Sequence, residues 1–122
     1  MEKKYKIIAV DDQDEILEVV HIYYESSNYE LVTFNKVDEA IKYIFKFSKE
    51  IILVVSDFSM PEKNGFEFKK ELNNFGIDIP FIICIAFYDK SMAIDGMSLG
   101  IAYFMDKPLV NLDLPQNVQD II

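Results

Sequence analysis

The sequence predicts an α/β protein: a doubly wound, five-stranded parallel sheet of order 2-1-3-4-5 with helices on both faces. Three observations predict it. Strand-like and helix-like segments alternate along all 122 residues. The segments 51–55 and 80–85 are continuous apolar runs, the pattern of strands covered on both faces. The informative polar residues, Asp11, Asp12, Asp57 and Lys107, all fall where such strands end.

The elements follow in order. A first strand is expected at 5–10, ending at Asp11. From Asp14 to about Ser26, Ile16, Leu17, Val20 and Tyr23 recur at helical spacing. A second strand, 29–34, precedes a second helix. There Asn35 is the expected N-cap and Asp38 sits in the first turn, where a carboxylate suits the helix dipole. Val37, Ala40, Ile41, Ile44 and Phe45 then form one apolar stripe. The third strand, 51–55, runs into Ser56 and Asp57. A loop with Pro61 and Gly65 leads to a helix lined by Phe66, Phe68, Leu72 and Phe75 and stopped near Gly76. After the fourth strand comes a weaker helix at about 90–99. Gly96 inside it costs about 1 kcal/mol relative to alanine. A fifth strand is expected at 101–105. A last helix should start near Asp113, with Pro115 tolerated in its first turn.

Successive βα units with right-handed crossovers leave few topologies, of which the flavodoxin-like order is the commonest at this length. The whole chain, 1–122, reads as one domain. Its apolar end, Ile121-Ile122, raises the expectation that this is the N-terminal part of a longer natural chain.

Composition narrows the function. Hydrophobic residues are 51% and charged residues 27%, a globular balance. The formal charge is -9, and every basic residue is a lysine. A chain this acidic is poorly suited to contact nucleic acid directly, which needs a basic patch. No run approaches the roughly 20 apolar residues of a membrane span, and the N-terminal apolar stretch is cut short by Asp11 and Asp12. The single cysteine, Cys84, lies in an apolar run and reads as a buried, inert thiol in a reducing, cytoplasmic setting. Met92, Met97 and Met105 are expected to fill core gaps. His21, the one histidine, reads as an ordinary helix residue. The scattered glycines form no phosphate-binding loop.

In the predicted order the first and third strands are neighbours, so Asp11, Asp12 and Asp57 converge. Carboxylates that close repel one another unless a cation or proton intervenes. Hard oxygen ligands suit Mg2+, which takes one or two carboxylates plus phosphate and keeps several waters. Lys107, at the end of the fifth strand, reaches the same pocket as a point charge for a phosphoryl group. Each residue alone has a blander reading: a cap, a loop carboxylate, a surface lysine. Their conjunction at the correct strand ends favours phosphoryl transfer to a carboxylate.

At these residues the chain resembles the receiver domain of bacterial response regulators. The matching pieces are IIAVDDQ (7–13), VVSDFSMPEKNGFE (54–67) and GIAYFMDKP (100–108). The resemblance implies a phosphorylation switch of a two-component system. Asp57 would be the phosphoacceptor. Asp12 and Asp57 would ligate Mg2+ directly, Asp11 through water, and the main-chain carbonyl of Ser59 would be a further ligand. Lys107 would pair with the phosphoryl group. Phe104 would be the aromatic residue whose rotation reports phosphorylation. The implied partners are a sensor histidine kinase or phosphotransfer protein and a downstream effector. The face of helix four, strand five and helix five would be the output surface and a homodimer contact.

One departure stands out. The family has Thr or Ser at the end of the fourth strand, where this chain has Ile85. Isoleucine cannot donate a hydrogen bond to a phosphoryl oxygen, a bond worth about 1.5–3 kcal/mol when one group is charged. Phosphorylation chemistry is therefore expected to survive with weakened or rerouted coupling to Phe104, unless another group such as the Ser59 hydroxyl replaces the donor. The alternative is a pseudo-receiver, an interaction module working without phosphorylation. A phosphohydrolase would need an acid or base beside Asp57, which Phe58 and Ser59 do not offer. Asp106, an extra carboxylate beside Lys107, is expected to point away from the pocket.

Overall fold

The structure, a computed structural model, describes residues 5–24, 29–87 and 89–106. Its elements are β1 (Lys6–Val10), α1 (Asp14–Tyr24), β2 (Glu30–Phe34), α2 (Val37–Phe47), a 3-10 turn (Ser48–Glu50), β3 (Ile51–Asp57), α3 (Gly65–Asn74), β4 (Phe81–Ile85), α4 (Lys90–Leu99) and β5 (Tyr103–Asp106). The strands form one parallel sheet in the order β2-β1-β3-β4-β5, as the sequence predicts. The helix expected from Asp113, and Pro115 within it, lie outside the described residues.

Two cores flank the sheet. Ile8, Val10, Val54, Ile83 and Ile85 face α2, α3 and part of α4. Ile7, Ala9, Leu53, Val55 and Cys84 face Leu17 and Val20 of α1. The alternation is the period-two geometry of strands. It is adjusted once, where the β1–β3 register shifts between Lys6 and Ile7. The continuous apolar runs of β3 and β4 are thus covered on both sides, and Cys84 is buried as expected.

Several local expectations are corrected. The N-cap of α2 is Lys36, with no side-chain cap bond. Asn35 instead donates from Nδ2 to Asp14 Oδ1 at 3.0 Å, tying the start of α2 to the start of α1. Phe45 and Phe75, assigned to apolar stripes by spacing, are 63% and 54% exposed. Their rings meet edge-on at 5.6 Å on the outer surface. Met97 is also exposed rather than a core filler, whereas Met105 is buried and Met92 packs at the core margin. β5 begins at Tyr103, two residues later than expected.

The start of α3 carries a capping box that the sequence reading missed. Asn64 Oδ1 accepts from the Glu67 amide at 2.9 Å, and Glu67 Oε1 accepts from the Asn64 amide at 2.8 Å. Two otherwise orphaned amides are satisfied reciprocally. Just before it, Lys63 donates to Asp38 of α2 at 2.7 Å and to Glu71 of α3 at 2.8 Å. These hydrogen bonds raise the Lys63 pKa and lower that of Asp38.

Candidate functional site

Asp57 closes β3 and is 2% exposed. Asp11 follows β1 and is 3% exposed. Because β1 and β3 pair side by side, with Val10 opposite Ser56, both carboxylates emerge at the same edge. Asp12, next in the chain, is exposed. One carboxylate oxygen from each of Asp11, Asp12 and Asp57 lies within 4.8 Å of the others. The sheet topology brings together the three aspartates that the sequence singled out.

Local bonds hold this edge in place. Asp11 donates its amide to the Phe34 carbonyl at 3.2 Å, and Asp11 Oδ1 accepts the Gln13 amide at 2.9 Å. The Ser56 hydroxyl donates to the Asp57 carbonyl at 2.8 Å. Phe58 donates its amide to the Cys84 carbonyl at 2.9 Å, which binds the chain beyond Asp57 to β4.

Gly65 explains itself here. Its amide donates to the Phe58 carbonyl at 2.9 Å. A Cβ at this position would fall inside the Ile83 side chain, 3.2 Å from the Asp57 carbonyl oxygen and 3.3 Å from the Phe58 Cα. Only glycine lets α3 start this close to the backbone that carries Asp57.

The donor set fits a hard divalent cation. Three carboxylates, all oxygen ligands, converge with two of them buried and one open to water. Mg2+ suits this set, with one or two of the carboxylates as direct ligands and water completing the shell. A cleft of about 280 Å³ adjoins Asp12. Asn35, Lys36 and Val37 line one side of it, and Met60, Pro61 and Glu62 the other.

The remaining expected residues fall into two groups. Ile85 is 4% exposed and ends β4, one residue beyond Cys84, which pairs with Asp57. It joins the same core cluster against which Phe104 packs. Phe104, on β5, is half-buried. Its ring meets Phe66 edge-on at 6.1 Å, and Phe66 meets Phe58 edge-on at 5.0 Å. A Cβ on Gly96 would lie 2.8 Å from Phe104 Cε2 and closer still to Cζ. The helix-weakening glycine of α4 is the notch that receives the Phe104 ring. Ser59 is exposed two residues past Asp57. Lys107 and the Asp106 side chain lie outside the described residues.

Sequence reasoning missed Lys63, Asn64 and the notch at Gly96. The Asn64-x-x-Glu67 spacing carried the capping signal. Lys63 had none, because its partners are distant in sequence.

A parallel 2-1-3-4-5 sheet with an acidic cluster at the carboxyl edge of β1 and β3 defines a receiver-type signalling module. Residues 7–119 match the response regulator receiver domain, and the chain belongs to that family. It is 29% identical over 116 residues to the response regulator SaeR of Staphylococcus aureus, covering 95% of this chain and 50% of that protein. The chain thus spans about half the length of the curated relatives it matches. Among solved structures, a response regulator receiver domain protein from Clostridium thermocellum superposes with a TM-score of 0.84 at 24% identity, over 97% of this chain and 94% of that one. The Vibrio cholerae chemotaxis protein CheY4 gives 0.83 at 23% identity, over 98% of this chain and 100% of that one. These likenesses show the fold. Among the described residues no helix is long and apolar enough to cross a membrane.

Proposed function

We propose that this domain is the phosphoacceptor switch of a two-component system. The convergence of Asp11, Asp12 and Asp57 at one sheet edge carries the reading. An Asp57 carboxylate oxygen attacks the phosphorus of a phosphohistidine on a partner kinase or phosphotransfer protein. The P–N bond breaks, and its electron pair returns to the donor imidazole. An ionised aspartate needs no general base for this step. Asp12 and Asp57, with Asp11 through water and the Ser59 carbonyl, would hold Mg2+, which neutralises phosphoryl charge when bound. Lys107 supplies a further positive charge to the phosphoryl oxygens. The domain turns over no metabolite. It acts in the cytoplasm and passes its state to an effector through the face of α4, β5 and the helix expected after it.

Ile85 decides how that state is read. It offers no hydroxyl to draw toward a phosphoryl group, and it already fills its core position. A ligand shifts a two-state equilibrium only by its differential affinity for the two states. Coupling from Asp57 to Phe104 by way of residue 85 is therefore weak. The edge-to-face series Phe58, Phe66, Phe104 supports a second route beginning one residue from Asp57.

A pseudo-receiver is the competing reading, and Ile85 is the observation that favours it. The test is titration of wild type and Asp57→Asn with Mg2+ and beryllofluoride, followed by NMR. Binding of both by wild type, with loss of the beryllofluoride response in Asp57→Asn, is expected. If wild type binds neither, the pseudo-receiver reading replaces this one.

A further inference from the structure

Two solvent-facing helical stripes carry opposite charge. On α1, Glu15, Glu18, Val19 and Ile22 are all exposed at i, i+3, i+4 and i+7, with Val19 46% and Ile22 70% exposed. On α2 and the turn after it, Lys42, Phe45, Lys46 and Lys49 are exposed at the same spacing. Phe75 widens the second stripe by packing its ring against Phe45. On α1 that spacing places the ends of the stripe about 10 Å apart on one helix face; on the second stripe Lys42, Phe45 and Lys46 share a face of α2, and Lys49 lies in the turn that follows. One stripe is anionic and aliphatic, the other mostly cationic and aromatic, with Glu39 at its N-terminal end.

They cannot meet within one molecule. α1 packs on the Ile7, Leu53 and Ile82 face of the sheet, and α2 packs on the Ile8, Val54 and Ile83 face. The basic stripe also stands out against the chain's formal charge of -9. Two copies with that net charge repel at long range, so only local complementarity brings them together.

We infer that the α1 stripe of one copy docks on the α2 stripe of a second copy, with carboxylates against ammonium groups and Val19 and Ile22 against the exposed phenylalanine pair. The contact is heterologous: each copy uses one stripe and leaves the other free. It therefore propagates head to tail into short open oligomers rather than closing as a two-fold dimer. A helix-on-helix contact of this size belongs to the weak, transient class. The inference is independent of phosphoryl transfer.

The test is sedimentation velocity across a concentration series up to about 1 mM at roughly 0.1 M ionic strength, where charges within about 10 Å still interact. Wild type is expected to show a weight-average sedimentation coefficient that rises with concentration. Glu15→Lys/Glu18→Lys and Lys42→Glu/Lys46→Glu should each stay monomeric. An equimolar mixture of the two variants should associate again, because the reversed charges complement across copies. That rescue also shows that both variants are folded. A wild type that stays monomeric overturns the inference, as does a mixture that remains monomeric. Association abolished by Met97→Glu but unchanged by both charge reversals would place the contact on α4 and overturn it. So would a monomeric wild type that co-sediments with phosphatidylserine vesicles through Lys42 and Lys46, since the basic stripe would then belong to a membrane surface.

Discussion

At the scale of single residues, three side chains carry an energetic cost that can be measured. Glu62 lies in the site loop with φ of 71°, a left-handed conformation that disfavours side chains with a Cβ. Glu62→Gly should raise stability by about 0.5–1 kcal/mol in urea denaturation, the relief being partly offset by glycine's greater unfolded freedom. Lys69 is the buried lysine of α3, 2% exposed. Burial pushes its pKa below 10.5, with Asp78 opposing. Between the depressed folded value and 10.5, the unfolded chain holds more protons than the folded one. Stability from this group therefore rises with pH across that window. Relative to Lys69→Met, wild type should gain stability as pH climbs toward 10.5, read as a converging pair of melting curves. Asp57 is the third. With its carboxylate beside those of Asp11 and Asp12, repulsion opposes folding when no cation is present. Asp57→Asn should melt higher than wild type in chelator. Added Mg2+ should then stabilise wild type by about 2.7 kcal/mol at a hundredfold excess over Kd, and the variant by less.

At the scale of elements, spacing locates the strands and helices but not their neighbours. Asp11, Asp12 and Asp57 are legible because strand order alone brings strand ends together. Phe45 and Phe75 are misread because periodicity says which residues share a face, not whether anything covers that face. The same holds for Met97. Asn35 has the chemistry of a cap, but the helix starts one residue later and its amide goes to Asp14. Lys63 is invisible in the sequence, since its bonds to Asp38 and Glu71 span separate elements. The α3 cap is readable from spacing, yet the sequence reading passes over it. Asn64→Ala should cost about 1 kcal/mol in thermal or chemical denaturation, the usual effect of a lost N-cap. It should also loosen the loop that follows Asp57, seen as faster amide exchange at Gly65.

At the scale of the whole molecule, the question is whether an event at Asp57 is felt at α4. In the proposed switch Ile85 weakens one connection, and the edge-to-face series Phe58, Phe66, Phe104 is a candidate for another. Ile85→Thr should enlarge the response of Phe104 to beryllofluoride, read from 19F-labelled phenylalanine. Phe66→Leu should diminish that response in the wild-type background, and less so when combined with Ile85→Thr. Equal responses in all backgrounds would show that neither route matters. The notch at Gly96 adds a consequence of its own. An aromatic ring held against a glycine imposes a ring-current shift on that residue's protons. The chain has four glycines, so their amide signals form a small, separable set in a nitrogen-15 spectrum. The Gly96 resonance is thus a gauge of where Phe104 points, already present in the unmodified protein.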